Sequence, residues 1–187
     1  MSAATSVMRA PMRPPRTHPE RSESSMGHHV LQRRLDTPLG PLTAARSAAG
    51  LSGLWFDGQK HHPGTLDVPT DEGSDPVLSA TAAALAAYFA GRPFTLPPLD
   101  PAGTDFQRAV WRGLLAIMPG HPATYGMLAR QLGHAGAARA LGAAVGRNPI
   151  SVLVPCHRVI GADGSLTGYA GGLARKRALL ALEGAGA

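Results

Sequence analysis

Residues 125–147 read YGMLARQLGHAGAARALGAAVGR, and the fold turns on this stretch. It divides into two short helical segments, Tyr125 to Leu132 and Ala137 to Val145, parted by Gly133-His134-Ala135-Gly136. A connection of that size between short helices predicts a helix-turn-helix. The second helix has an unusual surface: Ala137, Ala138, Ala140, Gly142, Ala143, Ala144 and Gly146 are all small, and Arg139 is its only charged side chain before Arg147. Alanine and glycine permit close packing on one face. On the opposite face they leave a smooth ridge that fits a groove, with one arginine projecting from it.

Working backwards, Thr104-Asp105-Phe106-Gln107 has the form of a capping box, in which Thr104 and Gln107 satisfy each other's free amides. Phe106, Val110, Leu114 and Ile117 then recur on one helical face until Pro119 ends the pattern. Pro93, Pro97, Pro98 and Pro101 make residues 92–102 an extended linker. Before it, Val30 to Asp36, Leu42 to Arg46 and Leu51 to Phe56 are short runs broken by Pro38-Leu39-Gly40-Pro41 and Ala49-Gly50, a pattern that predicts a small antiparallel sheet. Residues 57–74 read as loop. Asp75-Pro76 then supplies an N-cap and a first-turn proline to a helix with an apolar stripe of Val77, Leu85, Tyr88 and Phe89, ending at Gly91. Nothing in residues 27–91 carries an evident chemical motif. Residues 1–26 mix Pro, Arg, Ser and Met without an apolar core segment and read as a disordered basic tail, so Met26 is an alternative start.

Working forwards, Val154-Pro155-Cys156-His157-Arg158-Val159-Ile160-Gly161 places the sole cysteine of the chain between an apolar strand-like run and a glycine turn. A thiol beside an imidazole and a guanidinium is a candidate nucleophile, because neighbouring positive charge or a histidine base favours the thiolate. Simple packing is the alternative for a lone cysteine.

Charge is unevenly distributed. Residues 1–26 hold four Arg against two Glu, residues 27–101 five basic against seven acidic groups, and residues 102–187 nine basic against three acidic, within a net charge of +6. The basic excess therefore belongs to the cysteine-bearing part and fits a polyanionic partner. One cysteine suits a reducing, cytoplasmic compartment. No apolar stretch reaches the length of a membrane span.

Residues 104–184 resemble the O6-alkylguanine-DNA alkyltransferase family nearly end to end. The resemblance rests on Gly103-Thr104-Asp105-Phe106-Gln107 with Val110-Trp111, Thr124-Tyr125-Gly126, Ala137-Ala138-Arg139-Ala140-Leu141-Gly142, Asn148-Pro149, the Cys156 block, Gly168-Tyr169-Ala170-Gly171-Gly172-Leu173 and Leu182-Glu183-Gly184. Residues 30–91 follow the family's N-terminal domain in outline. The implied fold is α/β (α+β): a small N-terminal antiparallel sheet with a helix over residues 27–91, the linker, and a mostly helical DNA-binding domain over residues 103–187. The implied function is DNA repair by irreversible transfer of the alkyl group from O6-alkylguanine, and O4-alkylthymine, to Cys156 after base flipping, each molecule acting once.

By the same resemblance His157 deprotonates Cys156 through a water, Glu183 holds the histidine, Tyr125 stabilises the leaving base, and Asn148 braces the cysteine loop. From the residues alone Glu183 is a solvated carboxylate beyond the cationic run Arg175-Lys176-Arg177. The resemblance further implies that Arg139 fills the gap left by the rotated nucleotide, with Thr124, Tyr125, Ala138 and Gly142 at the DNA. It likewise implies a base pocket of Cys156, Val159, Tyr169, Ala170 and Gly171, with the carbonyls of Cys156 and Val159 accepting from the exocyclic amine.

No cofactor is expected. His28-His29 and His61-His62 lack the thiolates that hold zinc in some relatives, so no metal is expected either. The partner that the resemblance implies is duplex DNA containing O6-alkylguanine, with no membrane contact and a monomer in solution expected; cooperative assembly on DNA stays open. Two other classes compete: a lesion sensor, in whose relatives tryptophan replaces the cysteine, and a cysteine hydrolase, for which the Arg139 helix has no purpose.

Overall fold

The computed structural model describes residues 28–134 and 136–185, so the basic tail lies outside the described residues. Three strands, β1 (Leu31–Leu35), β2 (Leu42–Arg46) and β3 (Leu51–Phe56), form an antiparallel sheet in sequential order. Leu31 pairs with Arg46 and Leu42 with Phe56, and the β2–β3 register shifts at Ala45/Arg46. Helix α1 (Pro76–Phe89) packs across this sheet. Its start follows from chemistry legible in the sequence: the Asp75 side chain accepts from Leu78 N at 2.9 Å and Pro76 sits in the first turn.

All six residues of β3 are buried, although β2 covers only one of its edges. The other edge is used twice. At Leu51 it pairs with the supposed linker, where Leu51 N donates to Pro98 O at 2.7 Å and Asp100 N to Leu51 O at 2.8 Å. At Leu54 it pairs with the approach to the cysteine, where Leu54 N donates to Pro149 O and Ser151 N to Leu54 O, both at 2.8 Å. Residues 98–100 of the extended linker segment are thus anchored to the sheet. An exposed strand edge invites pairing, and here the chain's own segments satisfy it.

The remainder is mostly helical, with one short parallel strand pair: α2 (Asp105–Leu114), β4 (Ala123–Thr124), α3 (Tyr125–Gln131), α4 (Ala138–Gly146), β5 (Val159–Ile160) and α5 (Leu173–Leu182). The capping box at Thr104 and Gln107 is formed in both directions. Helix α2 stops at Leu114, short of Pro119, although Ile117 still reaches the core through a following turn. Trp111 Nε1 donates to Ala144 O at 2.9 Å and fastens α2 to α4. Helices α3 and α4 follow in the expected helix-turn-helix order. Val110, Leu114, Leu128, Leu141 and Val145 belong to the same continuous core as Leu54, Phe56 and Leu85.

One expectation fails next to the cysteine. Residues 151–154 are a turn, with Val152 at φ 69°, in place of a strand-like run. Pairing with β3 ends at Ser151, and the left-handed Val152 reverses the chain so that Cys156–Arg158 forms a single 3₁₀ turn. A β-branched residue at positive φ is rare and strained.

Candidate active site

Asn148, just beyond α4, organises the turn that holds the cysteine. Its Nδ2 donates to Ile150 O at 3.0 Å, to Val154 O at 2.8 Å and to Cys156 Sγ at 3.1 Å, while its Oδ1 accepts from Ile150 N at 3.0 Å. The brace expected of Asn148 is therefore built, and it reaches the sulfur itself. Cys156 is 5% exposed. Burial pushes its thiol up, while the Asn148 bond and the Lys176 charge pull the other way.

Behind the cysteine lies a buried polar relay. His157 is wholly buried, and its Nε2 donates to Glu183 Oε1 at 2.8 Å. Its Nδ1 is buried with no hydrogen-bond partner among the described residues. Glu183 is not the solvated residue that the sequence alone suggests, because its side chain is 4% exposed. It accepts from Arg158 Nε at 2.9 Å and Arg158 Nη2 at 3.0 Å, and from the Tyr88 hydroxyl at 2.7 Å. Burial would raise the Glu183 carboxyl, yet the bonds from His157, Arg158 and Tyr88 hold it down at about 2. For His157 burial dominates and lowers the imidazole, against the opposing pull of Glu183. The relay thus holds a carboxylate beside a neutral imidazole whose proton sits on Nε2, leaving Nδ1 as a base.

Tyr88 is a functional residue that sequence reading passed over, and Arg158, read there as a positive charge beside the thiol, pairs with Glu183 instead. Tyr88 belongs to α1, in the part of the chain without an evident motif, and its ring does lie in the core as the apolar stripe predicts. Only its hydroxyl enters the site.

The cationic run on α5 also divides. Lys176 is fully buried, with Nζ donating to Val159 O at 2.6 Å and Thr167 O at 2.7 Å. Burial lowers its ammonium to about 8, and the neighbouring cysteine opposes that fall. Arg175 stacks over the Phe56 ring at 4.5 Å and donates to Leu39 O and Gly171 O. Only Arg177 of the three is exposed. Val159 O already accepts from Lys176, and Cys156 O from Val159 N, so each carbonyl keeps one lone pair for a ligand.

A cleft of about 400 Å³ is lined by Tyr125, Gly142, Gly146, Tyr169 and Ala170, among others, and the Cys156 sulfur lies within electrostatic reach of both tyrosine hydroxyls. Tyr169 turns its ring edge toward His157 at 6.4 Å between centroids, and its hydroxyl is buried without a partner among the described residues. At Gly171 a Cβ would stand 2.6 Å from the Tyr169 ring and 3.2 Å from Phe56, so only glycine lets this loop close on the core. A larger cavity, about 600 Å³, opens behind the relay between Tyr88, Phe94, Leu153 and Glu183, but no residue of α3 or α4 lines it.

Helix α4 buries Leu141, Ala144 and Val145 and leaves Ala138, Arg139, Ala140 and Ala143 exposed. Small residues lie on both faces of α4, Ala144 packed in the core and Ala138, Ala140 and Ala143 at the surface beside Arg139. Gly142 lies against the Tyr125 ring, at 3.8 Å from a built Cβ. Thr124 caps α3, its Oγ1 accepting from Met127 N at 3.2 Å. Among the described residues no group of three or more His, Cys, Asp or Glu side chains converges as a metal site.

Comparison with known proteins agrees with this geometry. Residues 105–185 match the family described as 6-O-methylguanine DNA methyltransferase, DNA binding domain, and residues 30–101 match the ribonuclease-like domain of 6-O-methylguanine DNA methyltransferase. A methylated-DNA--protein-cysteine methyltransferase of Mycobacterium tuberculosis is 49% identical over 152 residues, spanning 81% of this chain and 90% of that protein. One of the same name from Salmonella typhimurium is 60% identical over 102 residues, 54% of this chain and 60% of that protein. A crystal structure of Mycobacterium tuberculosis OGT in complex with DNA superposes with a TM-score of 0.73 at 48% identity, covering 83% of this chain and 93% of that one.

Proposed function

The chain belongs to the 6-O-methylguanine DNA methyltransferase family, and from that premise we propose that Cys156 accepts the alkyl group that the protein removes from O6-alkylguanine in duplex DNA. The activity itself, repair of DNA by alkyl transfer to a cysteine of the protein, comes with the family. One observation carries the residue assignment: the sole cysteine of the chain is bonded by the Asn148 brace, directly precedes His157 of the relay, and lies within electrostatic reach of Tyr125 and Tyr169, which line the cleft.

The reaction is a displacement at carbon. The thiol proton of Cys156 passes by way of a water to His157 Nδ1, whose basicity is sustained by the Nε2–H bond to the Glu183 carboxylate. The thiolate attacks the alkyl carbon, the carbon–O6 bond breaks, and its electron pair stays on the guanine oxygen. Tyr125 donates to the departing base and limits its charge. Burial raises the Cys156 thiol, and Asn148 and Lys176 counter part of that rise by favouring the thiolate. The product is a thioether, and no second thiol in the chain can regenerate Cys156. Each molecule therefore acts once.

A stacked base hides its O6 substituent, so the nucleotide is rotated out of the helix at a cost of a few kcal/mol. The exposed face of α4 suits the minor groove, and Arg139, exposed on that face, fills the vacated stack with its planar guanidinium. The open lone pairs of Cys156 O and Val159 O accept from the exocyclic amine. O4-alkylthymine is the secondary substrate.

Tyr88 is a positioning residue in this scheme. It shares Glu183 Oε1 with His157, so α1 of the first domain fixes the carboxylate that orients the base. The deciding test is intact-protein mass spectrometry with peptide mapping after incubation with duplex DNA carrying one O6-methylguanine. The expected result is one added methyl group per molecule, on Cys156. Lesion-selective binding without any mass change would overturn the assignment.

A further inference from the structure

The cleft beside Cys156 is not walled by the second domain alone. Lys60 and His61, on the connection between β3 and α1, line it together with Arg147 just past the end of α4. That connection is held firmly. Lys60 N donates to Ala170 O at 2.9 Å, which ties it to the loop expected to face the base. Gln59 is buried, with Oε1 accepting from Phe56 N at 2.9 Å and Ser151 Oγ at 3.0 Å, and His62 N donates to Gln59 O.

His61 itself has φ 64°, one of two non-glycine residues at positive φ among the described residues. Strain of this kind persists only where the surrounding contacts hold it. The side chains of Lys60, His61 and Arg147 are exposed, and none joins an ion pair among the described residues. Partial burial lowers the His61 imidazole, and the charges of Arg147 and Lys60 lower it further, which fits three nitrogen groups crowded on one rim.

An unpaired cationic rim at the mouth of a base-sized cleft calls for an anion that arrives with the base. We infer that Lys60, His61 and Arg147 form a phosphodiester-binding rim, through which the first domain grips the backbone of the strand carrying the rotated nucleotide. Lys60 and Arg147 supply full charges, and His61 supplies a hydrogen-bond donor between them. The rim is open and continuous with the exposed face of α4, as a polymer backbone requires. It would bind any sequence equally, because phosphate contacts position the duplex and leave base choice to the cleft. The inference rests on the reading that duplex DNA is the substrate.

The test is the full chain with Lys60→Ala and Arg147→Ala combined, which removes both charges and keeps the backbone at His61. Three quantities are compared with the unaltered protein: affinity for a duplex containing one O6-methylguanine across a salt series, the transfer rate on that duplex, and the transfer rate to free O6-benzylguanine. The expected result is an affinity loss of about tenfold, a log–log salt slope reduced by about two, and an unchanged rate with the free base. Arg92→Ala, which removes an exposed charge lining the other cavity, should leave all three unchanged. Unchanged affinity and slope in the double variant would overturn the rim. So would equal losses on duplex and free base, since they would trace to the Ala170 loop instead. If the unaltered protein takes no alkyl group from duplex DNA, the functional reading falls and the rim with it; if it does and the variant matches it, only the rim falls.

Discussion

Behind Cys156, Glu183 accepts four hydrogen bonds from three side chains and is almost withdrawn from solvent. In front of it, Ala138, Arg139, Ala140 and Ala143 stand exposed along α4, and Arg139 makes no ion pair among the described residues. The first region is a closed polar network, in which every change leaves a buried group unsatisfied. The second is a surface whose partners arrive with the ligand. Proton transfer needs atoms fixed to fractions of an ångström before the substrate appears, whereas a duplex brings its own shape. Side-chain hydrogen bonds are thus concentrated behind the cysteine, and the exposed face of α4, proposed to meet the duplex, is left smooth.

That contrast predicts graded effects. Cys156→Ala should abolish methyl uptake in the mass assay while duplex binding, measured by fluorescence anisotropy, stays intact; any retained uptake would break the division between the two regions. Glu183→Gln should slow single-turnover transfer by about a hundredfold, the scale of a lost general base. It should also destabilise the fold by about 3 kcal/mol, because Arg158 would be left buried without its counter-charge. A variant of normal stability and rate would show that the network is not closed.

Arg139→Ala should slow transfer on duplex DNA by about tenfold or more and leave transfer to free O6-benzylguanine unchanged. Equal losses on both substrates would mean that α4 contributes to chemistry as well as to binding. Tyr88→Phe should lower stability by about 2 kcal/mol, the value of a hydrogen bond to a charged group, and slow transfer a few-fold. Because Glu183 would then bind its proton more readily, the acidic limb of the rate profile should move to higher pH, a shift that lost packing alone would not produce.

The smallest effect concerns acid. Glu183 titrates at about 2 in the folded chain against 4.5 when unperturbed. The unfolded state therefore binds the proton first, and the stability from this group is present above about 4.5 and lost as pH falls toward 2. Urea titrations across that window should show a shallower pH dependence in Glu183→Gln than in the unaltered chain.

Much of this architecture is readable in the residues. The capping box at Thr104, the N-cap at Asp75, the three strands and the two helices around Gly133–Gly136 all depend on neighbours a few positions apart, and they form close to where the sequence puts them. The Cys156 block and Asn148 were legible through collinear resemblance. Tyr88 was not, because it meets Glu183 across 95 residues and an aromatic ring in an apolar stripe gives no sign of where its hydroxyl points. Nor was Lys176, which reads as one cation in a charged run, since only the packing of α5 decides which of three successive side chains turns inward.

By itself, then, the sequence determined the local elements, the single nucleophile and the basic character of the half that carries it, because each is a property of residue identity and short-range spacing. The tertiary structure alone decided that β3 receives the approach to Cys156 on its free edge, that α1 delivers a hydroxyl to Glu183, and that a buried lysine stands over Val159. Those contacts join segments far apart in the chain. They arise from which edges and faces remain uncovered when the core closes, and no window of sequence contains that information.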